Sequence, residues 1–89
     1  DLMKEEIIEI TNRTGIHARP ASLIVQKASE FDAQILIIKD NKEANAKSIM
    51  GIMSLGISQS TKITIKTDGP DEEQAIKELK KLIKENINE

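Results

Sequence analysis

The chain has no cysteine, tryptophan or tyrosine, one phenylalanine (Phe31) and one histidine (His17). Without cysteine there is no disulfide framework, no thiolate nucleophile and no cysteine-based metal site, so packing alone must hold the fold, and a reducing cytoplasm suits it. Apolar runs extend only a few residues, and no segment joins a charged start to an apolar middle. Export and membrane insertion therefore lack support, and the cytoplasm is the expected location. An excess of one charge is missing too: 13 Lys and Arg stand against 15 Asp and Glu, a formal net of -2. A nucleic-acid binder needs a basic face, and a single-strand binder needs aromatic platforms as well; this chain has neither and is not expected to contact nucleic acid directly. At 89 residues the chain, 1–89, reads as one domain that can close a core but has no room for a second lobe or a deep cleft. A self-sufficient enzyme is not expected.

What is present is a hydrophobic pattern that alternates between two periods, the mark of mixed α and β structure. Residues 4–10 end in a β-branched run and read as a strand, followed by a polar loop over 11–15. From Ala18 onward Ala21, Ile24, Val25 and Ala28 recur at three- and four-residue spacing, which predicts an amphipathic helix over 18–29. Residues 34–38 read as a second strand, Lys39-Asp40-Asn41-Lys42 as a turn, and the stretch through Ala46 as a short third strand. Ser48 then stands in front of a short helix ended by Gly56. Residues 62–67 alternate as a half-buried strand broken by Asp68-Gly69-Pro70. Ala75, Ile76, Leu79, Leu82 and Ile83 form the stripe of a last helix, with Asp71, Glu72 and Glu73 at its positive end. The predicted fold class is α+β, order βαββαβα: a four-stranded antiparallel sheet with three helices on one face and solvent on the other.

Chemistry concentrates in Thr14-Gly15-Ile16-His17-Ala18-Arg19-Pro20. Proline belongs in a first helical turn, where the N–H it lacks has no intrahelical partner, and the remaining free N–H groups and the helix dipole attract an anion. A neutral imidazole at that end can attack phosphorus and later leave, and the guanidinium of Arg19 offers a fork suited to phosphate oxygens. Spacing alone leaves two readings open: His17 as a phosphoryl nucleophile, or His17 as a helix cap beside a solvated Arg19.

The segment from Thr14 to Ala21, together with Lys47-Ser48-Ile49-Met50-Gly51-Ile52-Met53-Ser54-Leu55-Gly56, resembles the HPr family, the histidine-containing phosphocarriers of the bacterial phosphoenolpyruvate:sugar phosphotransferase system, in the Gram-positive form with a regulatory serine. Similarity runs over nearly the whole chain, and the element order looks like that family's open-faced β-sandwich. The resemblance implies that enzyme I, charged by phosphoenolpyruvate, phosphorylates Nδ1 of His17, that Arg19 stabilises the transferring group, and that His17 passes phosphate to IIA domains of sugar permeases. The protein would be a carrier without turnover of its own, monomeric, with no metal and no cofactor.

Ser48 matches the serine that an HPr kinase/phosphorylase modifies in the family, and whose phosphorylated form binds a catabolite-control transcription regulator. A phosphate there would set about two negative charges beside the partner surface; the bland alternative is a helix cap only. Ala18, Pro20, Gln26, Ser29, Ile49, Met50 and Met53 are the residues expected to meet partners, the methionines because a flexible thioether adapts to several shapes. For the apolar three the alternative is core, where Ile52 and Leu55 are expected, and Gln26 and Ser29 could be merely solvated.

Three features depart from the pattern. Ser58-Gln59-Ser60 lacks the family's glycine, which is expected to stiffen that loop, and Ser22 replaces alanine or threonine. Met3 reads as an initiator, making Asp1 and Leu2 an addition ahead of the natural start. Two rivals remain: a regulatory module of this fold acting only through Ser48, against which the presence of His17 argues, and an α+β interaction domain whose histidine is incidental.

Overall fold

The structure, a computed structural model, describes residues 3–88; the expectation for Asp1 and Leu2 lies outside the described residues. The elements are β1 (Lys4–Ile10), α1 (Ala18–Ala28), β2 (Gln34–Lys39), β3 (Lys42–Asn45), α2 (Ile49–Ser54), β4 (Thr61–Asp68) and α3 (Glu72–Leu82), with a π-helical turn over Ile83–Ile87. The predicted order βαββαβα is the observed one. β3 ends at Asn45 rather than Ala46, although the Ala46 N–H still bonds the Ile35 carbonyl at 2.8 Å.

All strand pairs are antiparallel, in the spatial order β1-β4-β2-β3. Strand pleating sends alternate residues to opposite faces, so Ile8 and Ile10 of β1, Ile35 and Ile37 of β2, and Ile63 and Ile65 of β4 are buried under the helices. Ile7, one residue from Ile8, is 68% exposed on the open face. Ala21, Ile24 and Ala28 of α1, Ile52 of α2 with Leu55 just after it, and Ala75, Ile76 and Leu79 of α3 close the core from one side. β1 lies at a sheet edge, and the helix end beyond it is tied down by Asn88. The Asn88 side chain accepts from Thr11 N–H at 2.9 Å and donates to the Glu9 carbonyl at 2.8 Å.

Two loops carry features that their local sequence does not signal. The stretch lacking a glycine holds Ser60 at φ 69, a left-handed conformation in which a Cβ crowds the backbone. That conformation carries strain, and Ser60→Gly is expected to raise stability by about 0.5–1 kcal/mol, read as a higher urea midpoint. Asp71 does not cap α3 with its side chain. Its carboxylate instead accepts from the Asp32 and Ala33 N–H groups, both at 2.8 Å, locking the α1–β2 loop to the start of α3.

The Asp32 N–H holds the Asp71 carboxyl below its ordinary 3.8, with Ala33 N–H and the charge of Lys47 adding. A depressed carboxyl stabilises the fold fully above its unfolded value and loses that contribution as pH falls through its folded value. Asp71→Asn is therefore expected to flatten the wild-type loss of stability below pH 3.8, measured by urea unfolding across an acid series.

Candidate functional site

His17 occupies the N-cap of α1 with extended backbone (φ -92, ψ -164) and makes no capping hydrogen bond with its side chain. His17 therefore caps α1 through its backbone alone, and its side chain is not committed to capping. The imidazole is exposed, while the His17 carbonyl accepts from Ala21 N–H at 3.0 Å and starts the helix. Pro20 falls in the first turn as expected, so the unbonded donors there are Ala18 and Arg19 N–H.

The loop that delivers His17 is clasped by Asn12. Its carbonyl accepts from Gly15 N–H at 3.1 Å and its Nδ2 donates to the Gly15 carbonyl at 2.8 Å. Asn12 is 4% exposed, and its Oδ1 is buried without a partner. Gly15 at φ 65 turns the chain, and Ile16 N–H then bonds the Ile57 carbonyl at 3.0 Å. His17 is thereby anchored to the segment that follows α2.

A shallow hollow of about 650 Å³ opens beside His17, lined among others by Thr14, His17, Arg19, Leu23, Asn86 and Asn88. Arg19 is exposed and takes part in no ion pair among the described residues. Its charge is therefore available to an incoming anion. A hollow of similar volume, about 660 Å³, lies at the β4–α3 turn. It is lined by Asp68, Asp71, Glu72 and Glu73, whose carboxylates repel a phosphoryl group.

Ser48 caps α2, its Oγ accepting from Gly51 N–H at 3.0 Å. That bond uses a lone pair and leaves the hydroxyl proton free. At the other end of α2, Lys39 Nζ donates to the Leu55 and Gly56 carbonyls at 3.2 and 3.0 Å. Lys47, the cation next to Ser48 in sequence, is drawn away to the Phe31 carbonyl at 2.7 Å.

On α2 the apolar outward residues are Ile49, Met50 and Met53, 40%, 82% and 43% exposed, while Ile52 is fully buried. The alternative that all three belong to the core is excluded. Ala18 is exposed next to His17. Pro20 is buried; it shapes the helix start and still lines the hollow beside His17.

Lys27 meets Glu78 of α3 at 3.8 Å, and α1 packs against both α2 and α3. At about 100° per residue, Ala18, Ser22, Val25 and Ser29 fall on the flank away from α3, toward α2, and Gln26 and Arg19 on the outer ridge. Gln26 and Ser29 are both exposed. The structure thus gathers His17 and Arg19 at one hollow and sets Ser48 and the apolar patch on the neighbouring helix, outside the lining. Sequence reasoning passed over Asn12 and Asn88, whose partners lie in backbone; the one available signal was an asparagine just before a glycine-bearing turn.

The family described as PTS HPr component phosphorylation site matches residues 4–85. The HPr-like protein Crh of Bacillus subtilis (strain 168) is 41% identical over 85 residues, 96% of this chain and 100% of that protein. The phosphocarrier protein HPr of Treponema pallidum is 39% identical over 87 residues, 98% and 99% of the two chains. Among solved structures, HPr from Thermoanaerobacter tengcongensis is 60% identical, covers 91% of each chain and superposes with a TM-score of 0.88. A Bacillus subtilis Crh structure, 41% identical over 92% of this chain and 94% of its own with a TM-score of 0.76, is an intertwined dimer with a swapped domain.

Proposed function

This chain belongs to the HPr family, and on that premise we propose that His17 accepts a phosphoryl group from phosphoenolpyruvate-charged enzyme I and hands it to IIA domains of sugar permeases. The observation that carries the reading is an exposed imidazole, free of any capping bond, at a helix start beside the unpaired Arg19. Nδ1 attacks phosphorus as the bond that holds the phosphoryl group on charged enzyme I breaks, and the new P–N bond is labile enough to release the group again. Two free N–H groups at the start of α1 and the guanidinium meet the oxygens in transit, where charge is held without rearrangement. The acceptor then repeats the displacement in reverse, and the protein returns unchanged, a carrier rather than an enzyme with its own turnover. The cytoplasm, where both phosphoenolpyruvate and ATP are found, suits this role, and no helix among the described residues is long and apolar enough to cross a membrane.

Ser48 adds regulation: an ATP-dependent HPr kinase/phosphorylase modifies its hydroxyl, and the product is read by a catabolite-control transcription regulator. With Lys47 held on the Phe31 carbonyl, a phosphate on Ser48 keeps its charge for a basic partner and stands beside the apolar patch of Ile49, Met50 and Met53. The similarity to Crh favours a second reading, in which Ser48 signalling is the whole function and the chain pairs as a swapped dimer rather than working as a monomer.

Intact-protein mass separates the two. Incubation with enzyme I and phosphoenolpyruvate is expected to add one acid-labile phosphate, and incubation with kinase and ATP one acid-stable phosphate that is lost in Ser48→Ala. Acid-stable phosphate alone, with enzyme I shown to be active, selects the Crh-like reading. Sedimentation then decides between monomer and dimer.

A further inference from the structure

The chain carries three sulfur atoms, in Met3, Met50 and Met53, and no cysteine, tryptophan or tyrosine. All three residues are exposed, at 45%, 82% and 43%. Two of them stand one turn apart on α2, an element whose attachment to the fold does not depend on them. Ile52 and Leu55 anchor that segment in the core, Ser48 Oγ caps its start and Lys39 Nζ its end. A polar group added at position 50 or 53 therefore leaves every one of those supports in place, while the outward face of α2 changes from apolar to polar.

We propose that Met50 and Met53 form a reversible oxidation site through which peroxide weakens docking of protein partners without touching His17. This rests on the reading of α2's outward face as a docking surface for enzyme I. The thioether sulfur attacks one oxygen of the peroxide; an S–O bond forms, the O–O bond breaks, and the departing hydroxide takes a proton to leave as water. Sulfur is oxidised by two electrons and the peroxide is reduced by two. The product is a sulfoxide with a strong acceptor oxygen, poorly matched to an apolar pocket. Return to the thioether consumes two thiols, which leave as a disulfide with one water, under a methionine sulfoxide reductase. Met3, just ahead of β1, provides a control within the same molecule.

The experiment treats the protein briefly with hydrogen peroxide, removes the oxidant, maps the added oxygen by peptide mass, and measures urea unfolding and phosphoryl uptake from enzyme I as a function of carrier concentration. Met50 is expected to oxidise first. The unfolding midpoint should stay in place, and KM for the carrier should rise by about tenfold, the loss of roughly 1.4 kcal/mol of docking. The maximal rate should hold, and a sulfoxide reductase with dithiol should restore KM. The Met50→Leu/Met53→Leu protein should still oxidise at Met3 yet keep its own starting KM after peroxide. An unchanged KM with both α2 methionines oxidised overturns the proposal, as does an equal response in the double variant or a collapse of the fold. If untreated protein takes no phosphate from active enzyme I, the carrier reading has failed instead. The same peroxide comparison is then made on the KM for Ser48 phosphorylation by its kinase, with the same outcomes supporting or overturning the oxidation site.

Discussion

Replacing His17 with alanine is expected to abolish acid-labile phosphate uptake outright, and replacing Arg19 with alanine to slow it by about a hundredfold while one phosphate per chain is still reached. The chain contains no second histidine and no cysteine, so removal of His17 leaves no imidazole or thiolate to take its place. Arg19 acts differently. In the proposed transfer it would hold charge that develops on the oxygens, and loss of one such group affects the barrier rather than the identity of the acceptor. Arg19→Lys should recover part of the rate, because the charge remains while the planar fork is lost. Initial rates from intact mass against time, at fixed enzyme I, distinguish these results. Acid-labile phosphate on His17→Ala would place the acceptor elsewhere, and an Arg19→Ala rate equal to wild type would confine that arginine to surface charge.

Gly15→Ala is expected to damage fold and transfer together, and Gly56→Ala to damage neither to the same extent. Both glycines adopt left-handed backbone, at φ 65 and φ 64. A Cβ on Gly15 would collide with the Ile57 carbonyl oxygen and stand 2.8 Å from Ser58 Cα, backbone atoms that cannot rotate away. A Cβ on Gly56 would meet nothing within 4 Å. The conformational penalty alone is about 1–2 kcal/mol and is common to both. At Gly15 the clash brings the total to about 3–4 kcal/mol, a large share of the stability of a small domain.

The same clash pushes against the carbonyl that accepts from Ile16 N–H at 3.0 Å, the bond immediately before His17. A shift of about 1 Å at a reacting group is enough to slow transfer by about a hundredfold. Urea unfolding of both variants, with phosphoryl uptake measured under conditions where each is fully folded, makes the comparison. Equal effects at the two glycines would show that the approach to Ile57 is not what fixes the loop.

These results bear on how much of the protein could be read from its residues. The seven main elements follow from local pattern: alternation over β4, three- and four-residue spacing in α1 and α3, and the serine and glycine that bracket α2. Their boundaries shift by a residue or two at most, because each is dictated by neighbours in the chain. The histidine at the head of α1 was legible for the same reason, proline and glycine marking the turn and the helix start around it.

Side-chain placement was not legible in the same way. Ile7 and Ile8 are the same residue one step apart, yet one is exposed at 68% and the other buried at 7%, because the pairing of β1 with β4 sets the pleat. Asp71 looks from sequence like one of three acids at a helix start, and its carboxylate serves a loop 38 residues away.

By itself, then, the sequence determined the elements, their order, the histidine at the head of α1 and the serine cap. Tertiary structure alone decided the sheet order β1-β4-β2-β3, the burial of Pro20, the clasp of Asn12 and the tie of Asn88 to β1. The physical reason is range: helix spacing, alternation and turn chemistry act between near neighbours. A register, a buried face or a hydrogen bond to distant backbone exists only once the chain has closed on itself.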